Sequence, residues 1–124
     1  MKMAVSTGNS RMEKHWNLQE VEYDDFRSRL SKTVRTSETV EQYRKMTKVQ
    51  QDNIKDVGGF VMGKLKGGRR KKDCVISRSA VTLDMDHGPG GILDEIEMLT
   101  DMKMIIYSTH KHTPENPRLR LIIP

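Results

Sequence analysis

The chain has 124 residues, of which 35% are hydrophobic and 31% charged, a composition that suits one domain with a lean core. A single cysteine excludes an internal disulfide, and no apolar stretch approaches the roughly 20 residues of a membrane span, so we expect a soluble, cytoplasmic protein. The net charge of +5 is unevenly divided, because residues 1–72 carry 17 Lys and Arg against 9 Asp and Glu, whereas residues 73–124 carry 5 against 8.

The first 79 residues are predicted to form a supporting region. Met3 to Thr7 alternates weakly between apolar and polar residues, which predicts an edge strand. A helix that Asp24 or Asp25 can cap follows. Thr39, with a glutamine three residues later, fits the capping box of a second helix, and a third helical segment is predicted from Val49 to Ile54. We expect the helices to pack against a sheet.

A basic loop runs from Lys64 to Lys72, where six of the nine residues are Lys or Arg. A glycine pair inside it lets the backbone come close to a ligand, but the order of residues is not that of a P-loop. One interpretation is a solvated hairpin tip. The other is contact with the phosphates of a nucleic acid or a nucleoside triphosphate through Lys66, Arg69 and Arg70. The positive charge of residues 1–72 favours a polyanionic ligand there.

The stretch from Val81 to Asp86 alternates between apolar and polar residues, so Asp84 and Asp86 share one face of a predicted strand. Residues two apart on a strand lie roughly 6.5–7 Å from each other, which lets both carboxylates reach ions set between them. Such oxygen ligands suit Mg²⁺ or Mn²⁺. The alternative is that both aspartates only cover a solvated strand face or open the glycine-rich turn that follows.

A helix and a second strand are predicted after that turn. Apolar residues recur at i, i+4 and i+7 from Ile92, and residues 104–107 have the composition of a buried strand. A strand, helix and strand of this length are expected to form a right-handed crossover between parallel strands. Ser108 and His110 should therefore emerge at the same sheet edge as the aspartates, where we expect both to contact the phosphates of a nucleotide.

The two histidines after this strand, His110 and His112, could share a metal ion. A closed zinc site is disfavoured, because the chain has one cysteine and no third histidine in a ligand-like spacing. His110 is better interpreted as a hydrogen-bond donor to a bound phosphate, and His112 as a loop residue.

The last predicted strand runs from Arg118 to Ile123 and again alternates, so Arg118 and Arg120 share a face. Taken alone, this pattern is typical of a solvated strand face. Beside a carboxylate pair it favours a phosphate clamp, since guanidinium groups bind phosphate oxygens bidentately.

Two motifs in this order carry a resemblance. The sequence Leu83-Asp84-Met85-Asp86 followed by Ser108-Thr109-His110 resembles the first two signatures of the archaeo-eukaryotic primase superfamily. Together with NIKDVGGFVMGKLKGGRR and IIYSTHKHTPENPRLRLIIP, it resembles more closely the primase-polymerase domain of phage and prophage replication proteins. The similarity covers nearly the whole chain.

The resemblance implies a fold and a chemistry. The fold is α+β, with an RRM-like β-α-β-β catalytic core at residues 80–124 and an N-terminal helical and strand support region at residues 1–79. The chemistry is template-directed nucleotidyl transfer with Mg²⁺ or Mn²⁺. Asp84 and Asp86 match the metal-binding pair and His110 the nucleotide-contacting histidine, while Arg118 and Arg120 fall where a basic residue near the phosphates is plausible.

The implied partners are a DNA template, nucleoside triphosphates, and a helicase domain or protein of the same replication system, in a bacterial or phage-infected cell. The family's third signature, an acidic residue on a later strand, should lie beyond Pro124, so we expect residues 1–124 to be a single, C-terminally truncated domain. Two alternatives remain open. One is a non-catalytic DNA-binding module in which the aspartates are structural, and the other is a different metal-dependent enzyme such as a nuclease or a sugar-nucleotide transferase.

Overall fold

A computed structural model describes all residues from 1 to 124 and shows two antiparallel sheets with four short helices. Two 3-10 turns, Lys66–Gly68 and Lys72–Cys74, connect the third strand to the fourth. In chain order the strands and helices are β1 Lys2–Gly8, β2 Asn17–Glu22, α1 Tyr23–Leu30, α2 Val40–Lys45, α3 Lys48–Lys55, β3 Gly59–Leu65, β4 Val75–Arg78, β5 Val81–Met85, α4 Ile92–Leu99, β6 Ile105–Ser108 and β7 Leu119–Ile123.

The first sheet has the strand order β2-β1-β3-β4. The prediction of an edge strand at Met3 to Thr7 was wrong, because β1 pairs with β2 on one side and β3 on the other. Its apolar residues Met3 and Val5 are buried, and the buried Ser6 hydroxyl donates to the Gly63 carbonyl at 2.8 Å. That internal hydrogen bond lets a polar residue occupy a central strand, so weak alternation did not mean an exposed edge.

The three N-terminal helices form near the predicted positions but differ at one cap. Glu22 precedes α1 and provides no side-chain cap, whereas Asp24 and Asp25 lie inside the first turn, where the helix dipole favours them. The prediction that one of them caps the helix was therefore wrong. The capping box of α2 at Thr39 is confirmed, and Thr47 forms a second one at α3.

The second sheet has the strand order β5-β7-β6, with β7 antiparallel to both neighbours. Strands β5 and β6 are therefore parallel to each other, as the strand-helix-strand spacing predicted, and α4 connects them. They do not pair directly, because β7 inserts between them. This is a split β-α-β unit; the RRM-like character of the core stays a prediction.

The main hydrophobic core joins residues of both sheets. Ile122 of β7 is fully buried, and Ile105 of β6 lies beside it in the register. The remaining core residues are Met3, Val5, Val21, Tyr23, Phe26, Met62 and Ala80. Each large side chain removed from water here contributes about 1.5–3 kcal/mol of hydrophobic stabilisation.

One face of the second sheet is therefore directed toward the first sheet. The alternation of β7 puts Arg120 on the same face as Ile122, and that face also carries Asp84 and Tyr107. The polar end of this face, with Asp84 and Arg120, lies beside the core.

The helices are too short and too polar for any of them to be a membrane span.

Candidate active site

The centre of the site is a row of three residues across the second sheet. Asp84 of β5 is the register partner of Arg120 on β7, which in turn pairs with Tyr107 of β6. Arg120 donates from Nε to Asp84 Oδ1 at 2.5 Å and from Nη2 to Asp84 Oδ2 at 3.3 Å. Its Nη1 donates to the Tyr107 hydroxyl at 3.2 Å. The hydrogen bonds to Asp84 raise the pKa of Arg120 above its ordinary value, so the guanidinium stays charged.

A second pair lies one step further along the strands. Arg118 Nη1 is 4.0 Å from Asp86 Oδ1, and the Arg118 carbonyl accepts a hydrogen bond from the Thr109 backbone at 3.0 Å. The two predicted aspartates and the two predicted arginines thus face one another across β5 and β7. The Asp84 and Asp86 side chains are 54% and 61% exposed, which leaves both carboxylates accessible from solvent.

The carboxylate pair fits a divalent ion in a restricted way. The structure contains no group of three or more His, Cys, Asp or Glu side chains that could hold a metal ion. Asp84 and Asp86 alone do not form a complete cage. Mg²⁺ in phosphoryl-transfer sites is nevertheless commonly held by one or two carboxylates together with substrate phosphates. The residues present therefore suit an ion that shares its ligands with a phosphate.

A cleft of about 330 Å³ opens between the two sheets beside Asp84 and Arg120. Its walls include Phe60 and Met62 from β3 and Thr82 from β5, and they carry four arginines against two aspartates. The charged residues of the walls are Arg11, Asp56, Arg70, Arg78, Asp84 and Arg120. The excess of positive charge favours an anionic ligand.

Two of these arginines have their charge compensated and two do not. Arg11 lies 3.9 Å from Asp56 and 3.7 Å from Asp52, and Arg120 is held by Asp84. Arg70 and Arg78 form no ion pair. They are the cleft residues best placed to give their charge to a ligand.

Asp56 has a tightly defined environment at the edge of the cleft. Its carboxylate accepts hydrogen bonds from the Arg11 backbone at 3.0 Å and from the Ser10 hydroxyl at 2.9 Å. The backbone hydrogen bond from Arg11 is the largest cause that lowers the pKa of Asp56, followed by the one from Ser10. Asp56 therefore ties the loop after β1 to the segment before β3.

The basic loop divides into residues that reach the cleft and residues that do not. Arg70 reaches it, with its guanidinium 4.9 Å from the Trp16 ring centroid and its Nη2 donating to the Arg11 carbonyl at 3.3 Å. The Trp16 backbone donates to the Gly68 carbonyl at 2.7 Å, which fixes the loop. Lys66 and Arg69 are exposed and lie outside the cleft wall. Of the three predicted contacts, the structure brings only Arg70 to the cleft.

His110 contacts the N-terminal region rather than the aspartates. Its ring lies 4.6 Å from the ring of Tyr43, with 63° between the planes, and it forms no ion pair with Asp84 or Asp86. The next residue, Lys111, has a positive φ of 71° and places its Nζ 5.6 Å from the same ring. The turn after β6 is thus supported by α2.

Ser108 lies on the opposite face of the sheet from Asp84. The alternation of β6 puts Tyr107 on the aspartate face and directs Ser108 to the other one, beside Leu119. There it lines a second pocket of about 330 Å³ together with His112. His112 Nδ1 accepts a hydrogen bond from the Arg118 backbone at 3.0 Å, so this histidine orders the loop before β7.

Several residues of the site were not predicted from the sequence, among them Tyr107, Arg11 and Arg78. Tyr107 had a usable signal, because the alternation that selected Arg120 on β7 also predicts which residue of β6 shares its face. Arg11 and Arg78 had none. They lie in a loop and on another strand, and only the packing of the two sheets brings them to the cleft.

The family model described as the VapE N-terminal domain matches residues 1–124. Comparison with curated proteins and with solved structures found no match.

Proposed function

The chain belongs to the VapE N-terminal domain family, and from this membership and the two aspartate–arginine pairs we propose that it carries out metal-dependent, template-directed nucleotidyl transfer. The family is associated with phage and plasmid replication, in agreement with the replication context that the sequence resemblance implies. The proposed activity is that of a DNA primase or polymerase. The observation that carries the proposal is that Asp84 and Asp86 face Arg120 and Arg118 beside an arginine-lined cleft.

The reaction requires little covalent chemistry from the protein. A 3′-hydroxyl oxygen attacks the α-phosphorus of a nucleoside triphosphate, a new phosphorus–oxygen bond forms, and pyrophosphate leaves with the electron pair of the broken bond. Asp84 and Asp86 would hold Mg²⁺ or Mn²⁺. When bound, such ions stabilise the attacking and leaving oxygens. The site needs no activated serine or cysteine, and none is present in the row.

The arginines supply the complementary positive charge. Arg118 and Arg120 lie opposite the carboxylates, and Arg70 and Arg78 line the cleft without an ion-pair partner. Guanidinium groups bind phosphate oxygens bidentately and stabilise charge that develops on them. In the proposed complex these residues orient the triphosphate toward Asp84.

Three residues outside the row have roles in the proposal. His110, in the turn after β6, donates a hydrogen bond to a phosphate of the nucleotide. Lys66 and Arg69, exposed on the basic loop, contact the phosphate backbone of a single-stranded DNA template, which predicts salt-sensitive binding without base readout.

The fold and the setting of this activity are part of the proposal. The β5-β7-β6 order of the split β-α-β unit agrees with an RRM-like core. The partners are a DNA template, nucleoside triphosphates and a helicase of the same replication system, in the cytoplasm of a bacterial or phage-infected cell.

A second candidate function is a DNA-binding accessory module. It is favoured by the same ion pairs, because each aspartate already has an arginine partner and both could serve only to pair β5 with β7. In that case the cleft would bind DNA phosphates without any metal ion. The two candidates differ in whether Asp84 and Asp86 are needed for function.

Incubation with a primed single-stranded circle, labelled deoxynucleoside triphosphates and Mn²⁺ tests the proposal. The expected result is labelled chains whose composition follows the template and which disappear with Asp84→Asn/Asp86→Asn. Shortening of the preformed strand would assign a nuclease instead. DNA binding that ignores EDTA and survives the double substitution, without synthesis, would assign the accessory module.

A further inference from the structure

We propose that Arg120 makes the site selective for a metal–triphosphate complex over the free divalent ion. Arg120 occupies the Asp84 carboxylate until phosphate oxygens draw the guanidinium away. This inference rests on the proposed function, because it concerns how the nucleotide and its metal ion reach Asp84. It assigns Arg120 a role in choosing the ligand, beyond that of a fixed phosphate clamp.

The ion pair between Arg120 and Asp84 is bidentate. Both oxygens of Asp84 accept from Arg120, one from Nε and one from Nη2. A carboxylate engaged bidentately has its charge neutralised and the lone pairs on that side used. A bare cation that approaches Asp84 therefore meets a carboxylate whose charge Arg120 already neutralises.

The two aspartates are not equivalent in their contacts with the arginines. The contact between Arg118 and Asp86 is a single one at 4.0 Å, too long for a hydrogen bond, whereas Asp84 is held by two. Asp86 is thus open to a free ion, whereas Arg120 neutralises the charge of Asp84 and occupies one side of its carboxylate. A site with one open carboxylate binds a divalent ion weakly, since hard cations gain affinity with each charged ligand.

Arg120 can release Asp84 and still keep its contact with Tyr107. Its Nη1 donates to the Tyr107 hydroxyl, and its guanidinium carbon lies 5.9 Å from the Tyr107 ring centroid. The β7 backbone is fixed by pairing on both sides, so only the side chain needs to move. The hydrogen bond to Tyr107 then keeps the Arg120 side chain at the cleft.

The proposed triphosphate ligand is strongly negative. A triphosphate offers oxygens that compete with Asp84 for the guanidinium, and it brings ligands for the metal ion at the same time. Binding of the metal ion and of the triphosphate is therefore positively coupled, and the coupling is reciprocal. Removing Arg120 should strengthen binding of the free ion and reduce this coupling.

Mn²⁺ titrations followed by electron paramagnetic resonance, without and with a nonhydrolysable deoxynucleoside triphosphate, test the proposal. Arg120→Gln should bind free Mn²⁺ about five- to tenfold more tightly than wild type, as expected from freeing a partly exposed carboxylate. The added triphosphate should improve Mn²⁺ affinity less in this variant than in wild type. Arg120→Lys, which keeps the charge without the bidentate fork, should fall between them.

For the Mn²⁺ titration without triphosphate, Arg78→Gln is the matched control, because it removes the same charge from the cleft wall without touching Asp84. It should change free Mn²⁺ affinity less than about twofold if the direct contact matters. Equal affinity in wild type and Arg120→Gln, or an equal gain in Arg78→Gln, would overturn the inference. Arg120→Lys provides the same test if Arg120→Gln fails to fold by circular dichroism.

Failure of the proposed function has a different signature. If Asp84→Asn/Asp86→Asn binds Mn²⁺ and the triphosphate as wild type does, these carboxylates are not the metal site. If the double substitution abolishes Mn²⁺ binding but Arg120→Gln leaves it unchanged, the metal site stands and only the role of Arg120 is lost.

Discussion

The ring of His110 lies against the ring of Tyr43, with 4.6 Å between their centroids. Tyr43 is the only buried residue of α2, and α3 has none. The one buried side chain of α2 thus contacts the turn after β6, whereas α3 is held by Arg11 through Asp52 and Asn53. The Tyr43 contact links the supporting region to the proposed nucleotide-binding histidine.

Substitutions at Tyr43 should separate its ring from its hydroxyl. The hydroxyl is buried without a hydrogen-bond partner, so Tyr43→Phe should leave the free energy of unfolding unchanged or raise it by up to about 1 kcal/mol. Tyr43→Leu should lower it by about 1–3 kcal/mol and remove the ring-current shift of the His110 imidazole protons. Urea denaturation and NMR measure the two effects. A Tyr43→Phe loss as large as that of Tyr43→Leu would show that the hydroxyl is satisfied.

A side chain at Gly8 should destabilise the fold. A Cβ at Gly8 would lie 2.5 Å from the ring of the buried Trp16. Overpacking of this kind predicts that Gly8→Ala lowers the free energy of unfolding by about 1–3 kcal/mol. Gly90→Ala is the control, since the nearest atom to its Cβ is 3.9 Å away. Equal urea midpoints for the two variants would contradict the packing of Trp16.

Asp56 should stabilise the fold only above acidic pH. Its pKa in the folded state is lowered from the ordinary 3.8, first by the Arg11 backbone hydrogen bond. A carboxyl with a lowered folded pKa contributes stability that is present above the unfolded pKa and is lost as pH falls through the folded value. The stability difference between wild type and Asp56→Asn should therefore be largest above about pH 5 and shrink below pH 4. Urea midpoints between pH 6 and pH 3 measure it, and a difference that grows on acidification would contradict the assignment.

If the chain is the DNA-binding accessory module, whose cleft binds DNA phosphates, Arg70 should contribute a phosphate contact to DNA binding. Arg70→Gln should weaken binding of single-stranded DNA and reduce the slope of log K against log salt by about 0.7. Arg35→Gln removes the same charge from an exposed segment outside the cleft and serves as control. Because Arg70 stacks on Trp16, tryptophan fluorescence checks that the loop keeps its structure. Equal slopes for the two variants would show that the cleft does not hold the DNA backbone.

Local patterns predicted the second sheet well. The alternation around β5 and β7 predicted that Asp84 shares a face with Asp86 and Arg118 with Arg120. In the structure Asp84 is the register partner of Arg120, whereas Asp86 and Arg118 lie one residue beyond the strands and are 4.0 Å apart. Alternation within one strand does not reveal which strand lies next to it, so the ion pairs themselves could not be predicted. Ser108 was predicted at the same sheet edge as Asp84. The alternation of side chains in β6 nevertheless puts it on the other face of the sheet.

The first sheet and the cleft were harder to predict. Seven residues of β1 gave no sign that the strand is central, because its place depends on pairing with β3 more than fifty residues later. Arg11 and Arg78 reach the cleft only through the packing of two sheets. Long-range packing of this kind leaves no local periodicity in a single sequence.

The proposed function requires Asp84 and Asp86 to form a metal-dependent nucleotide site. Binding of a labelled deoxynucleoside triphosphate should be measured with Mn²⁺, with EDTA, and with Asp84→Asn/Asp86→Asn in place of the native pair. We expect binding of the triphosphate with Mn²⁺, and loss of that binding in EDTA and in the double variant. Binding that is equal in all three conditions, or absent in all three, would contradict it.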